Sequence, residues 1–233
     1  MYKDIIGIVG GMGSFSTLYL FKEILNSFFM IDDSERPRII IDNYCNIPNK
    51  IDACLFSDKK EPFLSCLSAS VTNLIKLGCT KIIIACNITH VLLDDLFAIH
   101  PHFKKYVINM MDIILRRLRV NDVNKAYLFA TNNAIQSKVF HKYLENVELK
   151  SLEDKIDYEE IFSLMKMGKS SDVSEDMCKR FTVLCNKYRK EPKILGCTEL
   201  SMIYANSKIK NDVSFNIYDP INETVKYLVE ILE

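Results

Sequence analysis

Net charge is the first thing this sequence lacks: 30 lysines and arginines are matched by 30 aspartates and glutamates. No field of one sign is available to attract nucleic acid or an anionic membrane surface, so neither partner is expected. Glycine and proline are scarce, at 7 and 6 residues in 233, which argues against disorder or a long flexible linker. No apolar run approaches the roughly 20 residues that span a bilayer. The opening MYKDIIGIVGG lacks the longer apolar region and small-residue cleavage site of an export signal. A reducing, cytoplasmic setting is therefore expected, in which the 8 cysteines are thiols. No C-x-x-C pair occurs and no Cys/His cluster has zinc spacing, so no metal site is expected. What the chain does have is 48% hydrophobic residues, enough to bury a sizeable core in one or two compact units.

Short apolar runs alternate with longer segments of helical period, the pattern of parallel strands buried on both faces and joined by crossover helices. The expected order begins with a strand over 4–9, a turn at Gly10, Gly11 and Gly13, and a helix over 16–29 with Leu18, Phe21, Leu25 and Phe28 on its apolar stripe. A strand over 37–43, a loop over 46–49, a helix over 62–77 closed by Gly78, and a strand over 81–85 follow. A short helix over 92–99 and a strand over 106–109 complete the first half. The order then restarts with a strand over 124–130, a turn at Thr131 and Asn132, and a helix over 134–144. Helices over 158–167 and 172–188, a strand over 193–196, a strand over 214–218 and a helix over 221–232 end the chain. Segment 2–25 thus corresponds to 123–144, and 81–87 to 193–198, a weak internal duplication.

Two of the matched segments carry chemistry. KIIIACNITH and KILGCTEL each run from a lysine through an apolar strand to a cysteine with polar neighbours, Cys86 and Cys197. Ligands of open α/β sheets bind beyond the carboxyl ends of the strands, so both thiols are expected to face a cleft. Two similar lobes facing each other would put one thiol on either side of a bound molecule. That arrangement suits removal of a proton from one face of a carbon and its return to the other. A thiol with an unperturbed pKa of roughly 8.5 can act as acid or, as thiolate, as base, and like-charge repulsion keeps only one of a close pair ionised. Cys45, Cys54, Cys66, Cys79, Cys178 and Cys185 read as small buried hydrophobes. His90 reads either as a third acid or base or as a residue that orients or caps the next helix.

GIVGGMGSFST, IIIACNITH and ILGCTEL, in that order and spacing, together resemble the cofactor-independent aspartate/glutamate racemase superfamily, most closely its aspartate racemase branch. KAYLFATNNAIQS and IYDPINETVKYLVEIL extend the resemblance over nearly the whole chain. The resemblance implies an α/β fold of two similar lobes, each a parallel sheet flanked by helices, related by a pseudo-twofold with the active site between them. Residues 1–110 plus 213–233 would form the first lobe, with the C-terminal helix returning to it, and 111–212 the second. It implies interconversion of L and D forms of an acidic amino acid, aspartate first and glutamate second, with no cofactor and commonly as a homodimer. Cys86 and Cys197 match the catalytic pair. Asn87, Thr89 and Thr198 match residues that hold the α-carboxylate and ammonium, Met12 and Gly13 the turn lining the pocket, and Thr131 the threonine opening the second lobe. Lys166 falls where the family keeps a lysine near the side-chain carboxylate; read from its helix alone it is a solvated lysine.

The chain departs from the family pattern around the substrate. The family's I-P-D-R reads Ile47-Pro48-Asn49-Lys50 here, which keeps a cation at Lys50 but loses the planar bidentate fork of arginine. P-C-N-T-A-H reads Ala85-Cys86-Asn87-Ile88-Thr89-His90, and a second threonine of the strand-turn is Ala134. Three rival functions are weighed beside the racemase. A nucleotide site is disfavoured because the glycine turn lacks the third glycine of G-x-G-x-x-G and no Walker lysine follows. A superfamily decarboxylase or cis–trans isomerase shares the fold, but the decarboxylases use one thiol. A non-catalytic ligand-binding or regulatory protein of the same fold is the third.

Overall fold

The structure, a computed structural model, describes residues 2–28, 32–170, 172–210 and 212–232. Its strands fall into two four-stranded sheets, both wholly parallel. The first contains β1 (Ile6–Gly10), β2 (Ile39–Asn43), β3 (Lys81–Ile84) and β4 (Val107–Ile108), in the order β2-β1-β3-β4. The second contains β5 (Lys125–Phe129), β6 (Glu148–Lys150), β7 (Lys193–Leu195) and β8 (Ile217–Tyr218), in the order β6-β5-β7-β8. The expected duplication is therefore topological: β1 corresponds to β5 and β3 to β7. Register places Ile8 between Ile41 and Ile83 in the first sheet, and pairs Phe129 with Leu195 in the second. Both central strands are buried along almost their whole length, as the continuous apolar runs require.

The helices account for most differences from the sequence reading. Helix α1 (Ser14–Ser27) buries Thr17, Leu20, Glu23 and Ile24, while Leu18, placed on the expected stripe, is 56% exposed. This helix is covered from several sides, by the helices over Thr198–Asn206 and Pro220–Leu232 and by β1, so its buried face is wider than one stripe. Residue 29, its expected end, lies outside the described residues. Helix α2 (Lys50–Leu55) was not expected; the Asn49 side chain caps it by accepting from Ile51 N at 2.9 Å. Helix α3 (Ser57–Lys76) starts before the expected position and carries Pro62 inside. Helix α4 (Leu93–Ile99) follows a 3-10 turn over Ile88–Leu92. Helix α5 (Met110–Val120), also unexpected, is capped by Asn109 and buries Met110, Met111, Ile114 and Leu118.

The helix expected over 134–144 is broken into α6 (Asn132–Gln136) and α7 (Val139–Tyr143). Between them Ser137 Oγ donates to Ala134 O at 2.7 Å and Lys138 takes a left-handed φ of 56°, which ends the first helix. Helices α8 (Lys155–Ser170) and α9 (Glu175–Lys187) precede β7, and α10 (Thr198–Asn206) follows it. Helix α11 (Pro220–Leu232) opens on a proline, with Asp219 Oδ1 accepting from Ile221 N at 3.0 Å. Within the segment 213–233, β8 is hydrogen-bonded to β7 in the second sheet, whereas α11 packs on α1 and α5 of the first half. Among the described residues no helix is long and apolar enough to cross a membrane.

Candidate active site

Two tight approaches of the backbone aim the site. Gly11, in the turn after β1, has φ +85° and would place a Cβ 2.3 Å from the carbonyl carbon of Tyr44. Only glycine closes this turn, which presents Met12 and Gly13 at the start of α1. Gly196, after β7, would place a Cβ 2.5 Å from Ala130 Cβ, so the ends of β5 and β7 lie unusually close. Cys197 and Thr131 follow directly, and Cys197 Sγ lies 4.0 Å from Thr131 Oγ1.

Cys86 leaves the end of β3, where its N–H donates to Ile84 O at 2.7 Å, and is 3% exposed. The next residue, Asn87, reaches the other lobe: its Nδ2 donates to Leu195 O at 3.3 Å, while its Oδ1 is buried without a protein partner. His90, fully buried, lies behind the thiol with Nδ1 2.9 Å from Cys86 O. Because a carbonyl only accepts, Nδ1 carries the hydrogen. Burial drives the His90 pKa down to about 4 against the opposing pull of the Cys86, Asn87 and Ile108 backbone. His90 is thus a neutral ring braced on the Cys86 carbonyl and is not on the cavity wall.

Cys197 is 7% exposed and is the N-cap residue of α10. Burial pushes its thiol up to about 11, Glu199 adds to the rise, and hydrogen bonding by Thr131 and the charge of Lys50 oppose it. The free N–H groups at the start of α10 favour negative charge at this end. Thr131 itself caps α6, accepting from Ala134 N at 3.4 Å.

Cys86 and Cys197 line one small cavity of about 60 Å³. Asn87, Thr131, Thr198 and Lys50 are on its walls with them. Lys50 begins α2 and its Nζ donates to Met12 O. Burial works against its charge, but Cys86, Glu199 and Cys197 outweigh burial and hold its pKa above the ordinary lysine value. Thr131 and Asn133 also border a wider depression of about 440 Å³ along α8, lined by Lys155, Tyr158 and Phe162. Larger grooves of about 590 and 630 Å³ run beside α5 and α11 and contain no thiol.

Other expected site residues fall elsewhere. Lys166 is exposed on α8 and is not on the cavity wall; Met165 and Lys169, four residues apart on the same helix, are. A turn of 100° per residue carries Lys166 away from the cavity. Thr89 is fully buried and donates to Met12 Sδ at 3.2 Å, so it braces the Met12 turn from behind. Met12 meets the site through its carbonyl, which accepts from Lys50. Gly13 caps α1, where an added Cβ would lie 3.6 Å from Glu199 Oε1. Glu199 is the residue the sequence reading passed over: it is buried on the cavity wall, with Oε1 unpartnered and Oε2 3.5 Å from Thr198 Oγ1. Its signal was present in the KILGCTEL stretch. Cys45, expected buried, is exposed and lies 3.3 Å from Ser14 Oγ; Cys54, Cys66 and Cys178 are half-buried, and Cys79 and Cys185 buried. Among the described residues no three His, Cys, Asp or Glu side chains cluster to hold a metal ion.

A family model described as Asp/Glu/Hydantoin racemase matches residues 9–228. Among solved structures, the Picrophilus torridus aspartate racemase superposes with a TM-score of 0.79 at 21% identity, covering 98% of this chain and 94% of that one. An aspartate racemase homologue from Pyrococcus horikoshii gives a TM-score of 0.75 at 23% identity, over 98% and 99% of the two chains. The Francisella tularensis glutamate racemase, solved with D-glutamate, gives 0.61 at 20% identity, over 98% and 81%. At these identities the superpositions establish the two-lobed fold.

Proposed function

This chain belongs to the Asp/Glu/Hydantoin racemase family, and we propose that it interconverts the L and D forms of an acidic amino acid, aspartate first and glutamate second, by proton exchange between Cys86 and Cys197. The observation that carries the reading is that both thiols border one cavity, each at the carboxyl end of the corresponding strand of its own sheet.

In the proposed reaction one cysteine is a thiolate and the other a thiol. The thiolate takes the α-proton, leaving the electron pair of the C–H bond on the α-carbon. The opposite thiol then gives its proton to the other face. Atoms and charge balance, and the two sulfurs end with their protonation states exchanged. The reverse enantiomer uses the sulfurs in the opposite order. The unpartnered Asn87 Oδ1 is a natural acceptor for the substrate ammonium. The α-carboxylate suits the Thr131 and Thr198 hydroxyls and the start of α10, where backbone donors point outward. Lys169 supplies a cation for the side-chain carboxylate. The retention of two thiols favours this two-base reaction over the one-thiol decarboxylation found elsewhere on the fold. A homodimer and a cytoplasmic setting belong to the same proposal; sedimentation velocity tests the first.

The deciding experiment incubates the protein with single enantiomers of aspartate and of glutamate in D₂O, following α-deuteration by NMR and optical rotation. Exchange with racemisation is expected, and Cys86→Ala or Cys197→Ala should reduce racemisation by about 10²–10⁴-fold, the usual contribution of a general acid or base. No exchange with either amino acid, together with a melting shift from another ligand, would instead support a binding protein of the same fold.

A further inference from the structure

The lysine that opens KIIIACNITH has no part in the two-thiol reading, and its surroundings differ from those of its counterpart. Lys193, which opens KILGCTEL, is fully buried, and its Nζ donates to Tyr188 O at 2.7 Å and to Glu191 O at 2.6 Å. Lys81 instead lines the groove of about 590 Å³ beside β4, the edge strand of the first sheet. Lys104, Lys105 and Arg116 line it too, against two carboxylates, Asp94 and Asp112. Asp94 is already paired with Lys142 at 2.7 Å. Lys104 Nζ lies 5.9 Å over the Phe97 ring, while among the described residues Lys81, Lys105 and Arg116 make no ion pair. The neighbouring groove of about 630 Å³ differs, because its Glu223 takes up both Arg117 at 3.3 Å and Lys226 at 2.7 Å. Tyr106 and Tyr227, half-buried, also line the first groove, and among the described residues neither has a hydroxyl partner or a stacked ring.

We propose that this groove is an effector site for a small phosphate ester carrying a planar ring, an aryl or nucleoside phosphate, and that its occupancy is felt at the segment carrying Cys86. Cavities of roughly 300–1,000 Å³ suit such ligands. Unpaired cations favour an anion, and Arg116 with its neighbouring lysines offers the charge-assisted donors that a phosphate dianion takes. Tyr106 and Tyr227 offer ring faces. A neutral aromatic would leave the cations unused, and inorganic phosphate would leave the rings unused. The link to Cys86 runs through the groove wall. Tyr143, on α7, lines the groove, and its Oη donates to His90 O at 2.9 Å. His90 Nδ1 in turn donates to Cys86 O at 2.9 Å. Beside it Lys142 Nζ donates to Val91 O at 2.9 Å while pairing with Asp94 of the groove wall. Helix α7, from the second half of the chain, is thus fastened twice to the segment that follows Cys86. A ligand that orders Tyr143 therefore steadies that segment.

The test involves no turnover, so its outcome is separate from that of the racemase assay. Isothermal titration calorimetry uses AMP, phenyl phosphate and inorganic phosphate as probes. The two ring-bearing phosphates should bind about tenfold tighter than inorganic phosphate, the worth of a stacked ring. Tighter AMP than phenyl phosphate would assign the site to nucleoside phosphates, and the reverse order to aryl phosphates. Lys105→Gln and Arg116→Gln, both at exposed side chains, should each weaken AMP about tenfold, the loss of one charge-assisted hydrogen bond. Tyr227→Leu should weaken both ring-bearing probes and leave inorganic phosphate unchanged. Hydrogen exchange read by mass spectrometry tests the link to the thiol. Saturating AMP should slow amide exchange over residues 86–92 in the wild type, and Tyr143→Phe should still bind AMP but lose that slowing. No saturation by either ring-bearing phosphate, equal affinity for all three probes, or binding untouched by Lys105→Gln and Arg116→Gln together would overturn the site. Binding to the wild type with exchange over 86–92 unaltered would overturn the link to Cys86 without requiring any variant to fold.

Discussion

Replacing Gly196 with alanine puts a methyl carbon 2.5 Å from Ala130 Cβ, with Leu128 Cδ1 at 3.1 Å and Phe129 O at 3.2 Å. Carbon–carbon contacts sit near 3.5–4.0 Å, so the ends of β5 and β7 must separate by about 1 Å. Two of the three obstacles, Ala130 Cβ and Phe129 O, are at or next to backbone and cannot swing aside as the end of the Leu128 side chain can. An overpacked site of this kind costs about 1–3 kcal/mol of stability. The functional cost is larger, because the residues just beyond the clash are Thr131 and Cys197, whose Oγ1 and Sγ lie 4.0 Å apart. A displacement of about 1 Å at a reacting group reduces rates on the order of 100-fold. Gly196→Ala should therefore unfold at lower urea while losing about two decades of kcat. Urea denaturation and racemisation of aspartate read the two effects separately. Adding Ala130→Gly removes the closest contact and should recover at least tenfold in kcat, although the contacts at 3.1 and 3.2 Å remain. A Gly196→Ala protein with wild-type stability and kcat would refute the geometry, as would a double variant no better than the single one.

Two further outcomes follow from the site and the lobe junction. Lys169→Ala should raise KM for aspartate about tenfold or more, whereas Lys166→Ala, on the exposed face of α8, should leave kcat and KM within twofold; the opposite pattern would reverse the helix register argued above. Asp219 is fully buried against Ser201, and burial raises its carboxyl to about 6, with its hydrogen bonds to Ser201 and Ile221 opposing the rise. Since the folded pKa exceeds the unfolded value near 3.8, the folded state binds the extra proton between these values, and stability falls as pH rises from about 4 to 6. A two-unit shift corresponds to about 3 kcal/mol. Urea midpoints across pH 4–7 should show this decline in the wild type and lose it in Asp219→Asn; an identical pH profile in the two proteins would exclude Asp219 as its source.

The parts of the fold that were legible in the sequence are those with a strong local signal. Central strands of a parallel sheet are buried on both faces, so Ile6–Gly10, Lys81–Ile84 and Lys125–Phe129 stand out as unbroken apolar runs. Helix α5 escaped notice although Met110, Met111, Ile114 and Leu118 fall on one face, because the strand reading ended on Asn109, which is in fact its cap. Helix α10 begins immediately at a cysteine that offers no side-chain cap, so no start signal marks it. The break at Lys138 depends on one left-handed residue that is not glycine, and composition gives no warning of it. On α1, periodicity identified an amphipathic helix whose expected stripe holds the buried Phe28 but also the exposed Leu18, because contacts from α10 and α11 decide which face is covered.

By itself, the sequence determined the repeated strand-to-cysteine pattern, and with it the candidate reaction, since a thiol at the carboxyl end of a parallel strand faces the ligand side whatever surrounds it. Tertiary structure alone decided that Glu199 and Lys169 join Lys50 on the wall of the thiols' cavity. Lys50 comes from 36 positions before Cys86, and Glu199 belongs to the other lobe. Lys169 displaces Lys166 because helix rotation relative to the cavity is set by packing. Strand ends are fixed by local backbone geometry, whereas electrostatic neighbours depend on distances through space between segments remote in the chain. Cys86 and Cys197 could therefore be named from the sequence, while Glu199 and Lys169 on the same cavity wall required the fold.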